Sequence, residues 1–339
     1  MTWFERLTGI NEECPEQVRQ DLAADGGCII CPDGKRITYG HLEIPKLSEL
    51  RESISGMTSG LRRSTLREVV GDVGKLHTDP ANADAMFQVA SQFNLLEMSD
   101  PSITPEHGVG IYENDHTQGP ACAIACGAGT IYRNYFAHVN GQAGQCAARQ
   151  IDCSADLGRL LGNEVDQLWK MQNGYLFPSG KGLDEISKRV STADEAERDV
   201  LLGELRIGLQ VDAEVTLEDA GSAVTQAYCS ALPVAYGRQP VEHWTAFAKL
   251  VLDAAYEATL AAAVAKAVRT GNDVVYLTLL GGGVFGNPDQ WITDAIDRAF
   301  QKHINHGLDI RIVSYGRSKP AVAELVSRLG VTQSTDLMK

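Results

Sequence analysis

A chain of 339 residues, 44% hydrophobic and 22% charged, has soluble globular composition and length enough for one large domain or two small ones. Its formal net charge of −14 disfavours unassisted binding to nucleic acid or an anionic membrane, so local backbone dipoles must meet any phosphate it holds. Met1-Thr-Trp-Phe-Glu-Arg6 lacks the apolar core of a signal peptide, and no run approaches the ~20 apolar residues of a membrane span. Eight cysteines scattered from Cys14 to Cys229 then read as free thiols in a reducing compartment, and the expected location is cytoplasmic.

Residues 1–68 read as an ordered extension. Cys28-Ile-Ile and Lys35-Arg-Ile-Thr-Tyr-Gly40 flank the turn Pro32-Asp-Gly34 as a hairpin. A hairpin alone is marginal in water, so it should pack on the main sheet. Cys28 and Cys31 have C-x-x-C spacing, but no second pair completes a tetrahedral zinc site, and they read as structural thiols. Residues 47–70 read as helical, broken between Gly56 and Gly60. Residues 85–97 begin as a buried strand and turn polar at Gln92, Phe93 and Asn94. Such a strand end is where an open α/β sheet places its ligand; an asparagine there can equally satisfy a turn. The loop from His107 to Pro120 combines Gly108, Gly110 and Gly119 with Asp115, Thr117 and Gln118. Small residues over 121–125 follow, which let a helix approach the sheet closely.

Residues 140–210 carry turn signals at Asn140-Gly, Gln172-Asn-Gly and Pro178-Ser-Gly, with Ser191 or Thr192 capping a helix to Leu205. They read as an insertion or lid. Residues 209–217 and 223–235 read as strands, the second central and ended by Pro233. An Ala-rich stretch over 242–268 carries Lys249, Asp253, Glu257 and Lys266, which marks a soluble helix. A strand over 272–280 leads into Gly281-Gly-Gly-Val-Phe-Gly286. Asn287 can cap the next helix, with Pro288 at its first position and Asp289 in its first turn. Trp291, Ile292, Ala295, Ile296, Ala299 and Phe300 share one face of that helix, and His303 and His306 a solvated one. A strand over 308–315 completes a βαβ unit whose turn aims backbone N–H groups at an anion.

In this order the parts resemble a macrodomain, the α/β fold that binds ADP-ribose. Gly71-Asp72-Val73 looks like the family's Gly-Asp-Ile element, Ser91-Gln-Phe-Asn94 like its ribose-facing strand end, and the glycines at 108–110 and 281–286 like its two ligand loops. The resemblance covers about residues 69–318. More narrowly, Phe93-Asn-Leu-Leu-Glu97 and Asp115-His-Thr-Gln-Gly-Pro120 resemble the MavL-type ADP-ribosyl hydrolases, related in fold to poly(ADP-ribose) glycohydrolase. The Gln-Glu-Glu that follows the glycines in polymer-cleaving enzymes is missing.

The resemblance implies a macrodomain-like three-layer αβα mixed sheet over residues 69–339, with the extension at 1–68 and the insertion near 140–210. It implies removal of ADP-ribose from modified protein side chains, arginine first and ubiquitin among the carriers. No cofactor, metal, nucleic acid or membrane is called for. Asp115 would activate water and Asn94 would fix the distal ribose, with Glu113 and Glu97 as reserve acids. Asp72 would take the adenine amine. Phe93, Gly108, Gly110, Thr117, Gln118, Gly281, Gly282, Gly283, Val284, Phe285, Gly286 and Asn287 would complete the ADP-ribose contacts. Two other readings stand beside this one. A reader module would need the glycines and Asp72 but no acid at the anomeric carbon; a Rossmann oxidoreductase would carry its glycines in an early βαβ unit.

Overall fold

Seven short runs pair into one mixed sheet in the computed structural model, which describes residues 1–57 and 62–330. In chain order they are β1 (His41–Glu43), β2 (Thr65–Val70), β3 (Met86–Ala90), β4 (Gly208–Glu214), β5 (Ala223–Cys229), β6 (Val274–Leu277) and β7 (Asp309–Ser314). Their order across the sheet is β1-β4-β5-β3-β6-β7-β2. β5, β3, β6, β7 and β2 run parallel; β4 and β1 each join antiparallel to the neighbour. The main helices are α1 (Trp3–Thr8), α2 (Leu47–Ser53), α3 (Val73–Thr78), α4 (Gln118–Ala125), α5 (Gly180–Thr192), α6 (Glu195–Gly203), α7 (Val241–Thr270), α8 (Asp289–Lys302) and α9 (Pro320–Leu329).

Successive side chains of a strand point to opposite faces, and β3 shows what covers each. Phe87 stacks between His77 of α3 and Tyr276 of β6. Its neighbour Gln88 donates from Nε2 to the Thr259 hydroxyl of α7 at 2.8 Å. Thus α3 and α4 lie over one face, while α7, packed on α8, covers the other. The expected class, helices on both faces of a mixed sheet, is the one found. Burial on both faces is also why the central parallel strands β3 and β6 carry near-continuous apolar sequence.

α7 is buried almost all round, so its charges need partners. Burial pushes the Glu257 carboxyl up, but hydrogen bonds from Arg51 of α2 (2.5 Å) and Arg298 of α8 (2.6 Å) outweigh it and hold the group at about 2. Among the described residues no helix is long and apolar enough to cross a membrane.

The hairpin at Pro32-Asp-Gly34 forms as expected, Cys28–Ile30 pairing with Arg36–Thr38. The Thr38 N–H bonds Glu214 of β4 at 2.8 Å and ties the hairpin to the sheet. Residues 65–70 do not continue a helix from Leu47; six-residue parallel pairing with β7 makes them the edge strand β2. The helix break expected at Gly56–Gly60 falls partly at 58–60, outside the described residues. Because β1 and β2 belong to the central sheet, the boundary expected after residue 68 falls inside a strand. Thr192 ends α5 rather than capping a helix, and Asp194 caps α6 by accepting the Glu197 N–H at 2.8 Å. β5 stops at Cys229, four residues before Pro233. The βαβ unit is present, β6 and β7 pairing in parallel around α8. Ile292, Ala295, Ile296, Ala299 and Phe300 are buried on its inner face. His303 lies past the end of α8 and is buried, not on a solvated helix face; burial lowers its pKa to about 4.

Candidate functional site

The parallel strands β5, β3 and β6 end side by side, and a cleft of about 750 Å³ including its mouth opens at that edge. Parallel sheets favour ligand sites here, because turns leaving the strands present backbone N–H groups and helix N-termini.

One wall is the turn after β3. Gln92 shapes it by accepting the Met98 N–H at 2.8 Å and donating to the Met98 carbonyl at 3.0 Å. Leu95 takes φ 64°, where branched side chains are seldom found, and Arg133 Nε donates to its carbonyl at 3.0 Å. The turn carries Glu97 into the cleft wall. That residue is 4% exposed, and its Oε1 has no hydrogen-bond partner among the described residues. Burial pushes its carboxyl well above the usual carboxylate range; Arg133 opposes the shift and Asp115 adds to it. Glu97 therefore keeps its proton at pH values where an exposed carboxyl has lost it. Gly119, in the first turn of α4, makes room: a Cβ there would sit 2.3 Å from Glu97 Oε2 and 2.2 Å from the Ala90 carbonyl.

Asp115 and Thr117 line the cleft at the approach to α4, Asp115 Oδ1 accepting the Thr117 N–H at 2.9 Å. Gln118 also lines it and pins α4 to the end of β3, accepting the Ala90 N–H and donating to the Gln88 carbonyl, both at 3.2 Å.

The glycine turn after β6 forms the opposite wall through Gly281, Gly283, Val284 and Phe285. The N–H groups of Gly282, Gly286 and Asn287 bond carbonyls inside the turn. Those of Gly281, Gly283, Val284 and Phe285 make no hydrogen bond among the described residues, leaving them as donors for an anion. Gly281 sits at φ 68°, and a Cβ would come within 2.5 Å of the Asn287 amide.

A third contribution comes from the insertion. Trp169–Gln172 and Tyr175–Pro178 form a hairpin around Asn173-Gly174, with φ of 47° and 81°. Tyr175 reaches the cleft, donates its hydroxyl to the Met98 carbonyl at 2.5 Å, and packs 5.4 Å from the Phe285 ring. A two-residue Asn-Gly link between apolar runs is a hairpin signature legible in sequence. That its tip docks at this cleft is not.

Several expected residues stand elsewhere. Asn94 and Phe93 are buried behind the turn and do not line the cleft. Asn94 accepts the Leu96 N–H at 3.1 Å and donates to Gln150 at 2.9 Å, so its amide is taken up by the turn and the insertion. Gly108 and Gly110 lie against the Glu12 carboxylate, which accepts the N–H groups of Val109 (2.8 Å) and Gly110 (2.6 Å). An anion-binding loop is present there, and its anion is a side chain of the protein. Glu113 faces α1, accepting the Trp3 N–H at 2.9 Å. Asp72 is exposed beyond β2 and caps α3 through the Gly74 N–H at 2.8 Å. Asn287 does not cap α8; its Nδ2 donates to the Leu232 carbonyl at 2.9 Å and the Gly281 carbonyl at 3.3 Å, stapling the glycine turn. Glu97, a reserve acid in sequence terms, is the one the fold brings to the centre. Its position seven residues past the end of a buried strand was the available signal.

No protein-family model matches this chain, and neither does any curated protein. Among solved structures, it is similar to poly(ADP-ribose) glycohydrolase from Thermomonospora curvata, at 14% identity and TM-score 0.45, over 93% of this chain and 96% of that one. It is similar also to poly(ADP-ribose) glycohydrolase from Deinococcus radiodurans in complex with ADP-ribose, at 11% identity and TM-score 0.46, over 85% and 95%. At such values the likeness identifies neither an activity nor a site residue.

Proposed function

We propose that the chain is an ADP-ribosyl hydrolase that frees ADP-ribose from protein side chains, arginine first, with ubiquitin among the candidate carriers. One observation carries the reading: two acids, the buried Glu97 with its Oε1 unpartnered among the described residues and the loop acid Asp115, share a cleft with a glycine turn in which the N–H groups of Gly281, Gly283, Val284 and Phe285 make no hydrogen bond among those residues. Glycosidic hydrolysis uses two carboxyl groups in different protonation states, and contrasting environments are how proteins supply them.

In the proposed reaction, water held by Asp115 attacks the anomeric carbon of the distal ribose. The bond from that carbon to the arginine nitrogen breaks as oxocarbenium character develops, and the Asp115 carboxylate stabilises the positive charge. Asp115 takes the proton lost by water, and Glu97 delivers its own to the departing nitrogen. The N–H groups of the glycine turn and the α8 dipole would hold the pyrophosphate. Asp72 lies at the same sheet edge, three strand spacings or about 14 Å from β3, and is the candidate partner of the adenine amine. Support for arginine is local: two acids and the rings of Tyr175 and Phe285 line one cleft, a set that suits a planar cation. The scheme draws on no cofactor.

The test is ADP-ribose release from an arginine-ADP-ribosylated protein by wild type and by Asp115→Ala, with ADP-ribose binding followed by calorimetry. Release by wild type, lost in the variant while binding persists, is the expected result. Binding without release makes the chain a reader, and absence of both overturns the ADP-ribose reading.

A further inference from the structure

We propose that Glu12 is a positioning residue that holds both cleft acids in register through the loop at 108–115; the catalytic consequence rests on the hydrolase reading. Gly108 adopts φ 84°, and the two N–H groups that follow it converge on the Glu12 carboxylate, Val109 on Oε1 and Gly110 on Oε2. Tyr135 donates its hydroxyl to Oε1 at 2.6 Å. A Cβ at either glycine would lie 2.6 Å from the Glu12 carboxyl group, so backbone and carboxylate fit without spare room. α1 secures the same loop at two more points: Trp3 Nε1 donates to the Val109 carbonyl and its backbone N–H to Glu113, both at 2.9 Å.

What this clamp holds matters for the cleft. Gly110–Asn114 is one 3₁₀ turn that leads straight into Asp115, whose N–H bonds the Tyr112 carbonyl at 3.1 Å. The hydroxyl of the same Tyr112 accepts the Glu97 N–H at 3.0 Å. One buried tyrosine in that turn therefore touches the backbone of both acids, and the turn begins on the Glu12 carboxylate. Burial pushes the Glu12 carboxyl up; the bonds from Tyr135, Val109 and Gly110 draw it back, and Glu5 adds to the rise. The clamp is thus a carboxyl group that accepts from three donors in a partly buried site, and an amide in its place, which offers one acceptor oxygen instead of two, loosens the loop.

The experiment uses the full chain with Glu12→Gln and Tyr135→Phe, and three readouts. These are hydrogen exchange of the 108–115 amides, the melting midpoint, and kcat against KM for ADP-ribose release. Glu12→Gln should lose about tenfold or more of the loop's exchange protection. Its kcat should fall about ten- to a hundredfold, as displaced catalytic groups do, with KM within about twofold. Tyr135→Phe removes one donor of three and should retain most of both quantities. Lost protection with unchanged kcat would make Glu12 merely structural and overturn the proposal; unchanged protection would overturn the clamp itself. A wild type that releases no ADP-ribose from any linkage defeats the hydrolase reading and the catalytic consequence with it, while exchange in Glu12→Gln still decides whether the clamp exists.

Discussion

Glu97→Gln keeps the side chain's size and removes its charge, so it separates what this carboxyl does for the fold from what it does for the reaction. In the wild type Oε1 has no partner among the described residues, and the Gly119 backbone closes over the group. Leaving a buried acceptor unpaired costs about 1–3 kcal/mol, more when it is ionised. The amide leaves that oxygen just as unpaired but cannot ionise, so once pH exceeds the usual carboxyl pKa the variant should be the more stable of the two, by about 1–3 kcal/mol near pH 8, a rise in melting midpoint of roughly 2–6 °C. The folded pKa of Glu97 lies above its unfolded value. The stability it contributes is fully present below the unfolded pKa and is lost as pH rises through the folded pKa. Variant and wild type should accordingly converge near pH 4, about the unfolded value, and separate as pH climbs. Hydrolysis should move the other way: without the proton donor, release of ADP-ribose should fall by about 10²–10⁴. Thermal melts across pH and chromatographic assay of free ADP-ribose read both effects. A variant that melts lower than wild type at pH 8, or that keeps release within a few-fold, refutes the role given to Glu97.

Asn287→Ala removes the staple between the glycine turn and the Leu232 carbonyl. ADP-ribose affinity, measured by calorimetry, should drop about tenfold, one to two hydrogen bonds' worth, with the melting curve only slightly lowered. Gly281→Ala must accommodate φ 68° and a Cβ 2.6 Å from that of Ala231, so binding should be lost and stability reduced by about 1–3 kcal/mol. Asn94→Ala should cost stability but not binding: a loss of about 1–3 kcal/mol from the orphaned Leu96 N–H and Gln150 side-chain amide oxygen, with ADP-ribose affinity within a few-fold of wild type. Tenfold weaker binding in that variant would return Asn94 to the ligand.

Sequence by itself determined what short-range chemistry can determine. The apolar runs within 85–97, 223–235, 272–280 and 308–315 read as buried strands, and the strands that form occupy parts of them, Met86–Ala90, Ala223–Cys229, Val274–Leu277 and Asp309–Ser314. The glycines at 281–286 had to be a tight turn entering a helix, and Pro32-Asp-Gly34 a hairpin link, because φ restrictions and burial periodicity act within a few residues. Asp115, Thr117 and Gln118 were legible as a group for the same reason. Tertiary structure decided what depends on partners far along the chain. Thr65–Val70 became a strand because β7 pairs with it over a separation of some 240 residues. The first glycine loop holds the carboxylate of Glu12, 97 residues before Val109. Asn94 and Glu97 sit three residues apart, and the sequence reading put the asparagine at the ribose and held the acid in reserve; packing of the insertion took the asparagine's amide, while Gly119 and the end of β3 enclosed the acid and left its Oε1 without a partner among the described residues. A side chain's pKa and its freedom to meet a ligand are set by what the whole fold packs around it, and no local pattern encodes that.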